Sequence, residues 1–311
     1  MGAGRPLDPG PRVTTTAPDH RGGIVVGLIR EARPKQWAKN ALVFVAPGAA
    51  GVLTTRQGLT HAVFAFLMFC AAAGATYILN DVLDVEADRR HPKKRHRPIA
   101  AGVVPVPLAL TVAAIVAVSA VGLSVWRTWQ FGLIVAVYIV LTTVYSTVLK
   151  HQPVLDVMGL ASGFVLRLLG GAYAVQVAIS DWFLIISCFG ALFIAVCKRI
   201  GEKAEMGDGQ GSTRKLLESY SDRYLSFLEA IAAGAVIISY CQFAVQRASE
   251  RPSIAIWVLL SIIPFMIAIL RYALLVDQGK GSAPEDLLGE DRQLQLFGVI
   301  WAALMAASVY A

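Results

Sequence analysis

Long apolar runs recur along the whole chain and constrain its fold more than any other feature. About 20 apolar residues cross the hydrocarbon core of a bilayer, and nine runs come near that length. They lie at residues 37–54, 60–80, 105–126, 130–149, 154–177, 181–199, 225–246, 253–275 and 293–311. The runs are continuous rather than alternating, which favours helices over a transmembrane β-barrel. The sequence therefore predicts an all-α, multi-pass membrane protein with nine transmembrane helices.

The first residues differ in composition from the rest. Residues 1–21 are polar and rich in Pro, Gly, Thr and Arg, without an apolar core, which is typical of a disordered arm. The whole chain is only 16% charged, whereas soluble domains carry about a quarter charged residues. We therefore expect one nine-helix transmembrane domain over residues 22–311.

Basic residues predict the orientation of this domain, because cytoplasmic loops carry an excess of Lys and Arg. With a cytoplasmic N-terminus, the outer loops contain only four of the 28 Lys and Arg: Arg56, Arg127, Arg247 and Arg251. Arg167 and Arg271 fall within spans, and the remaining basic residues fall on the inner side. The large charged loops are therefore predicted at the cytoplasmic face.

The first charged loop, residues 80–102, reads NDVLDVEADRRHPKKRHRPIAAG. A spacing of four puts Asn80, Asp84 and Asp88 within about 80° of one helical face, and Asp81 lies near the same arc. Converging oxygen ligands at the end of a span would repel one another without a cation. Hard oxygen ligands select Mg²⁺, with Mn²⁺ as the alternative ion.

A basic run, HPKKRHRP, follows these acids directly. Arg95, Arg97 and their neighbours suit a diphosphate beside a metal–carboxylate site. Taken alone, the run is equally compatible with a solvated loop that only sets orientation. The acids and the basic run together predict a site for an anionic ligand and a metal.

This loop resembles the first aspartate-rich motif, NDxxDxxxD followed by a basic RP stretch, of the UbiA superfamily of intramembrane prenyltransferases. The resemblance extends over about residues 30–311. It implies a bundle of nine transmembrane helices with the active site on the cytoplasmic side.

The second charged loop departs from that pattern. Aromatic prenyltransferases of the superfamily have a DxxxD motif after the sixth span, where this chain has CKRIGEKAE. Lys198 and Arg199 stand in place of metal-binding acids, with Glu202 in the next turn. This loop is less able to hold a second Mg²⁺ and better able to hold an anion, which fits two phosphate-bearing substrates.

Two further segments supply candidate substrate-binding residues. RPKQWAKN places Lys35, Lys39 and Asn40 at the inner end of the first span. The stretch over residues 145–175 contributes Tyr145, Lys150, Asp156 and Arg167. An unpaired charge within a span is costly, so Asp156 and Arg167 either line a cavity or pair; eleven residues apart, they cannot touch directly. The acidic stretch PEDLLGEDRQLQ is predicted either to cover the site or to be a solvated linker.

Together these segments resemble one branch of the superfamily, the decaprenyl-phosphate phosphoribosyltransferases, which make a lipid-linked ribose precursor of cell-wall arabinan. The resemblance implies transfer from 5-phosphoribosyl 1-diphosphate to a polyprenyl phosphate with release of diphosphate, at the plasma membrane.

Residue roles follow from this reading. Asn80, Asp84 and Asp88 are predicted to hold the metal against the leaving diphosphate, with Asp81 in support. The candidate phosphate ligands are Lys35, Lys39, Arg95, Arg97, Lys198 and Arg199. Asp156 is expected to bind ribose hydroxyls, and Glu202 to orient a basic neighbour or the metal.

Two alternatives remain open on sequence alone. One is a UbiA-type enzyme that attaches a prenyl group to an aromatic or other small acceptor. The other is a transporter of phosphorylated metabolites, which the nearly uncharged outer loops disfavour. No nucleic-acid partner is expected, because no binding motif accompanies the basic residues. A homo-oligomer is compatible with the sequence.

Overall fold

A computed structural model of the chain describes residues 23–205, 212–279, 287 and 289–310. Every regular element within these ranges is helical, so the all-α expectation is confirmed for them. The predicted arm at residues 1–21 lies outside the described residues.

Thirteen α-helices, numbered in chain order, form the described chain. They are α1 (Ile24–Glu31), α2 (Val45–Ala49), α3 (Arg56–Leu83), α4 (Val85–Arg90), α5 (Val106–Arg127), α6 (Trp129–Thr147), α7 (Leu155–Val175), α8 (Asp181–Ala204), α9 (Ser212–Ser219), α10 (Asp222–Glu250), α11 (Ala255–Leu260), α12 (Ile262–Asp277) and α13 (Arg292–Tyr310). Short 3₁₀ helices join several of them, and the longest covers Pro34–Phe44.

Eight helical stretches of the described chain are long and apolar enough to cross a membrane. They are α3, α5, α6, α7, α8, α10, the α11–α12 pair and α13. Their bounds differ by a few residues from eight of the predicted spans. The protein is a multi-pass membrane protein.

The first predicted span, residues 37–54, has a different form. It consists of the 3₁₀ helix Pro34–Phe44, the five-residue α2 and a further turn. Pro47 and the left-handed Gly51 (φ 74°) interrupt a regular helix here. Eleven 3₁₀ residues and five α residues still cover about 30 Å, roughly the hydrocarbon thickness. Nine crossings therefore remain a prediction.

Hydroxyl side chains fix where several spans begin. Thr55, Thr128, Ser180 and Ser221 each accept a hydrogen bond from a backbone N–H in the first turn of α3, α6, α8 and α10. These caps satisfy donors that the helix itself leaves unpaired. They set where these four spans begin, and Ser221 does so at the end of the second charged loop.

Helix α3 packs against α5, α6, α7 and the 3₁₀ segment. Around it, Val43, Phe69, Phe131 and Tyr138 form a buried core. Gly171 of α7 lets the 3₁₀ segment approach, because a Cβ there would lie 1.9 Å from the Val43 carbonyl oxygen. A second core joins α7, α8, α9 and α10. The ends of α3 and of α7–α8 that carry the charged loops are thereby held in place.

Candidate active site

The end of α3 carries the predicted metal ligands. The helix is interrupted at Asp84 (φ −93°, ψ 4°), which separates α3 from α4. Backbone hydrogen bonds from Asp84 to Asn80 (2.9 Å) and from Asp88 to Asp84 (2.8 Å) keep the three residues one turn apart. Their surroundings differ, since Asp84 is exposed and Asp88 is buried. We therefore name Asn80 and Asp84 the open set, whereas Asp81 and Asp88 form the buried set.

The buried set forms an ion-pair network that we name the Asp81 cluster: Arg33, Asp81, Asp88 and Arg97. Arg33 Nη2 donates to both Asp81 oxygens, at 2.6 and 2.8 Å. Arg97 Nη1 bridges Asp81 Oδ1 at 2.8 Å and Asp88 Oδ2 at 2.6 Å. Both acids are 2% exposed, whereas the side chains of Arg33 and Arg97 are 32% and 28% exposed. The cluster presents two oriented guanidiniums toward solvent.

Glu31, at the end of α1, anchors the loop that carries Arg97. Its Oε1 accepts the backbone N–H of Ile99 at 2.8 Å, and the residue is 2% exposed. Burial and the neighbouring Asp81 raise the pKa of Glu31 from 4.5 to about 7. Gly27, one turn earlier in α1, faces Pro98 and Val104. Helix α1 therefore holds the basic loop against the end of α3.

The open set fits a divalent cation. Asn80 Oδ1 is buried without a hydrogen-bond donor, and the carboxylate of Asp84 has no ion pair or hydrogen bond within the described residues. No three His, Cys, Asp or Glu side chains in the described ranges group as a complete metal site. Mg²⁺ commonly binds one or two carboxylates and takes its other ligands from substrate phosphates, so the open set together with Asp88 of the buried set suffices.

A second network, the Asp156 cluster, joins the ends of α7 and α8. It comprises Tyr145, Asp156, Arg199, Glu202 and Tyr220. Arg199 Nε donates to Asp156 Oδ2 at 2.6 Å, its Nη2 donates to the Tyr145 hydroxyl at 2.7 Å, and its Nη1 pairs with Glu202. The Tyr220 hydroxyl donates to Asp156 Oδ1. Asp156 is fully buried and each of its oxygens accepts a hydrogen bond, and its expected contact with ribose hydroxyls stays a prediction.

The second charged loop is anchored near this cluster. Lys198 Nζ lies 3.6 Å from Glu202. Lys203 Nζ donates to the Tyr220 carbonyl and to Asp222, both at 2.6 Å. Glu202 thus orients basic neighbours, which is one of the two roles expected for it.

Asn40 and Arg167 lie together in the core. Arg167 Nε donates to Asn40 Oδ1 at 2.7 Å, and its two other nitrogens donate to the Gly163 carbonyl and the Tyr138 hydroxyl. Arg167 does not pair with Asp156, as the eleven-residue spacing predicts. All three acceptors are neutral, and they tie the 3₁₀ segment to α6 and α7. Substrate binding by this pair stays a prediction.

The remaining candidates are more exposed. Lys35 and Lys150 show no side-chain contact in the described part of the chain, whereas Lys39 donates to Gln36 at 2.7 Å. The side chain of Arg95 donates to the neighbouring His96 at 3.4 Å. Neither described cluster includes any of these four side chains, so their roles also stay predictions.

The acidic stretch before α13 is only partly described, since residues 284–286 and 288 lie outside the described ranges. Asp291 accepts the Leu294 N–H at 2.8 Å and pairs with Arg271 at 2.6 Å. These two bonds lower the pKa of Asp291. Asp291 therefore caps the N-terminus of α13 and forms an ion pair with Arg271 of α12. It does not contact either cluster.

A cavity of about 180 Å³ lies at the opposite end of the bundle from both clusters. Ala46, Val177, Phe243 and Met305 are among its lining residues. Val177 follows the C-terminal end of α7, whereas Asp156 lies in its first turn. This cavity therefore does not belong to the candidate active site.

Two residues of the networks, Arg33 and Tyr220, were not among the sequence candidates, and neither was Glu31, which anchors the loop of Arg97. Arg33 is 48 residues from Asp81, and Tyr220 is 64 residues from Asp156. The one available signal was that Arg33 belongs to the same RPKQWAKN segment as three candidates. Glu31 and Tyr220 carry no distinguishing local pattern.

Comparisons with known proteins agree with this architecture. Residues 41–288 match the model of the UbiA prenyltransferase family. A UbiA homolog from Archaeoglobus fulgidus, solved with GPP and Mg²⁺, superposes with a TM-score of 0.68 at 19% identity, covering 91% of this chain and 98% of that chain. A structure of digeranylgeranylglyceryl phosphate synthase gives a TM-score of 0.65 at 14% identity, with coverage of 92% and 99%.

Curated relatives have higher identity. The decaprenyl-phosphate phosphoribosyltransferase of Mycolicibacterium smegmatis is 41% identical over 298 residues, covering 92% of this chain and 93% of the relative. The protein of the same name from Mycobacterium tuberculosis H37Rv is 42% identical over 290 residues, covering 92% and 95%. That from Corynebacterium glutamicum is 41% identical over 288 residues, covering 91% and 87%.

Proposed function

The chain belongs to the UbiA prenyltransferase family, and we propose that it transfers a 5-phosphoribosyl group from 5-phosphoribosyl 1-diphosphate to a polyprenyl phosphate, releasing diphosphate. The observation that carries this proposal is the identity of 41–42% with decaprenyl-phosphate phosphoribosyltransferases over about 92% of the chain. The product would serve as a lipid-linked ribose precursor for cell-wall arabinan.

The Asp81 cluster supports binding of the donor's diphosphate. Arg33 and Arg97 are oriented by buried acids yet remain about 30% exposed, so their free N–H groups can reach phosphate oxygens. Planar guanidiniums bind phosphates in bidentate fashion. The diphosphate would therefore lie between these arginines and the end of α3.

Asn80, Asp84 and Asp88 would hold Mg²⁺, or Mn²⁺, beside the same diphosphate. The bound ion would stabilise the charge that develops on the leaving diphosphate. Asp88 also orients Arg97, so one carboxylate links the arginines to the metal ligands. Asp81 supports both from the buried side.

The Asp156 cluster supports a second anion site, which we assign to the donor's 5-phosphate. Arg199 and Lys198 occupy the place of the second acidic motif, and Arg199 keeps two N–H groups beyond the three that its partners use. A cationic side chain that is already held in place loses less conformational entropy when it binds a phosphate than a flexible one does. A donor held at both ends would present its C1 atom between the two clusters.

The acceptor needs little activation by the protein. An oxygen of the polyprenyl phosphate, ionised at neutral pH, forms the new bond to C1 as the C1–oxygen bond to diphosphate breaks. No proton has to be removed from this nucleophile, so a general base is not required. The chain's contribution is binding, orientation and charge stabilisation.

The proposed location is the plasma membrane, with both clusters on the cytoplasmic face. The distribution of Lys and Arg favours this orientation. Soluble 5-phosphoribosyl 1-diphosphate would then meet the arginines from the cytoplasm, while the polyprenyl phosphate would approach within the membrane.

Incubation of membranes containing the protein with Mg²⁺, polyprenyl phosphate and ribose-labelled 5-phosphoribosyl 1-diphosphate tests this function. We expect the label to enter the lipid phase, together with one diphosphate released per label transferred. Membranes with the Asp84→Asn variant should transfer the label about a thousandfold more slowly, and those with Glu86→Gln should behave as the wild type.

Label that stays in the aqueous phase with all components present would overturn the proposal. Consumption of a prenyl diphosphate with an aromatic acceptor would then favour the alternative UbiA-type prenyl transfer. Flux of label into liposomes without chemical change would favour transport.

A further inference from the structure

Tyr220 lies immediately after α9, in the segment that leads into α10, and is 2% exposed. Its ring packs in the core formed with Val157, Val196 and Leu216, and it stacks on Tyr224 with the ring centres 6.0 Å apart. A buried tyrosine almost always gives its hydroxyl a hydrogen-bond partner. The hydrogen-bond partners of the Tyr220 hydroxyl lie at the N-terminal end of α7.

The Tyr220 hydroxyl is the donor of one hydrogen bond and the acceptor of another. It donates to Asp156 Oδ1 and accepts the backbone N–H of Val154 at 2.6 Å. Burial and the bond to Asp156 raise the pKa of the Tyr220 hydroxyl, which keeps it a proton donor. One hydroxyl thus connects the cap of α7 to the carboxylate that holds Arg199.

Val154 has an unusual backbone conformation, with φ 68° and ψ −48°. A β-branched residue in this region is a genuine outlier, and such conformations persist only when neighbouring contacts maintain them. The bond from the Val154 N–H to Tyr220 is a contact of this kind. Release of that bond would free both the turn at Val154 and the first turn of α7, which contains Asp156.

We propose that Tyr220 is a positioning residue of the donor site, which fixes Asp156 and through it the guanidinium of Arg199. This proposal rests on the proposed function, in which Arg199 binds the 5-phosphate of the donor. Tyr220 acts on donor binding rather than on the bond-making step, because its hydroxyl is fully occupied by Asp156 and Val154. The segment after α9 therefore determines how well the second anion site is formed.

The matched pair Tyr220→Phe and Tyr224→Phe tests this role. Both changes remove one hydroxyl and keep the stacked rings, and only Tyr220 has described hydrogen-bond partners for its hydroxyl. For Tyr220→Phe we expect the KM for 5-phosphoribosyl 1-diphosphate to rise about tenfold, the effect of one lost bond to a charged group, with kcat changed less than twofold. Tyr224→Phe should leave both constants unchanged.

Hydrogen exchange of the Val154 amide gives a readout that needs no activity. Tyr220→Phe should speed this exchange about tenfold, whereas Tyr224→Phe should not. An unchanged KM and unchanged exchange in Tyr220→Phe would overturn the proposal, as would a fall in kcat and Tm at constant KM. If the wild type transfers no phosphoribose while exchange responds as expected, the proposed function fails and the structural link between Tyr220 and Val154 stands.

Discussion

The two clusters use the same components in different ways. In each, an arginine bridges two acids: Arg97 joins Asp81 and Asp88, and Arg199 joins Asp156 and Glu202. Arg97 is 28% exposed, whereas Arg199 is 5% exposed and also bonded by a tyrosine. At the end of α3, the Asn80 Oδ1 and the Asp84 carboxylate have no partner among the described residues, whereas both acids that contact Arg199 are paired with it.

This difference separates two tasks. The Asp81 cluster has partly exposed arginines, and Asn80 and Asp84 of the same loop offer spare oxygens, which suits a metal-bound diphosphate that arrives and leaves. The Asp156 cluster is closed, and its acids serve to hold one cation in a fixed place. A donor with a reacting diphosphate and an unreacting phosphate would need one site of each kind.

The largest effect should come from Asp84→Asn, which removes a charge from the open set. We expect the rate of phosphoribosyl transfer to fall about a thousandfold, in the range seen when electrostatic stabilisation of a transition state is lost. Asp84 is exposed and has no described partner, so Tm should stay within a degree or two. Rates of label transfer and thermal unfolding in detergent measure the two quantities.

A change in Tm without a change in rate would contradict that assignment. Glu86→Gln is the control, because Glu86 is exposed in the next turn and pairs only with Arg89. It should leave both rate and Tm as in the wild type.

The next largest effect is a difference in stability: Arg199→Lys should lower the free energy of unfolding more than Arg97→Lys does. Lysine cannot reproduce the three-way bonding of Arg199 and would leave the buried Asp156 partly unpaired, which costs about 3 kcal/mol. Arg97→Lys should cost about 1 kcal/mol, because Arg33 still pairs with Asp81 and a lysine that is partly exposed like Arg97 can pair with the buried Asp88. Denaturant unfolding of the two variants measures the difference, and equal losses would remove the distinction between a closed and an open cluster.

A smaller effect concerns Glu31 and pH. Its pKa is about 7 in the folded protein and 4.5 when unperturbed, so the folded state binds more protons between these values. Stability should therefore fall as pH rises from about 4.5 to 7, by roughly 2–3 kcal/mol. Unfolding of Glu31→Gln over this range should lose that contribution, whereas Glu86→Gln should keep the wild-type slope. Identical slopes in wild type and Glu31→Gln would show that Glu31 does not titrate there.

The smallest effect is expected for Lys35→Gln. Lys35 is exposed and has no described contact, so it can only attract the donor through a screened charge. We expect the KM for the donor to rise about twofold at low salt and to match the wild type at 0.5 M salt. A larger, salt-independent change would place Lys35 inside the site.

Much of the fold could be predicted from the sequence, because crossing a membrane requires apolar length and little else. The span at 105–126, for example, is found as Val106–Arg127. The segment at 37–54 was harder, since its local form depends on Pro47, Gly51 and the bonds that Arg167 makes from α7. Hydropathy records only that the segment is apolar.

The candidate site was predictable to the level of residue clusters. Asp81, Asp88 and Arg97 all lie within residues 80–102, which the sequence predicts as a site for a metal and an anion, but their ion pairs with one another were not predicted. The partners that decide their geometry come from distant parts of the chain, as Arg33 does for Asp81 and Tyr220 for Asp156. Such contacts follow from tertiary packing, which a single sequence does not encode in any local pattern.

Calorimetric titration of purified protein with 5-phosphoribosyl 1-diphosphate, with Mg²⁺ and with chelator, tests the division between the clusters most directly. The wild type should bind the donor much more tightly with Mg²⁺ than with chelator. Asp84→Asn should lose this Mg²⁺-dependent increase in affinity. Arg199→Lys should bind the donor more weakly in both conditions and should keep the increase. Equal donor affinity of the wild type with and without Mg²⁺ would contradict the assignment of separate roles to the two clusters. Loss of the Mg²⁺-dependent increase in Arg199→Lys would contradict it as well.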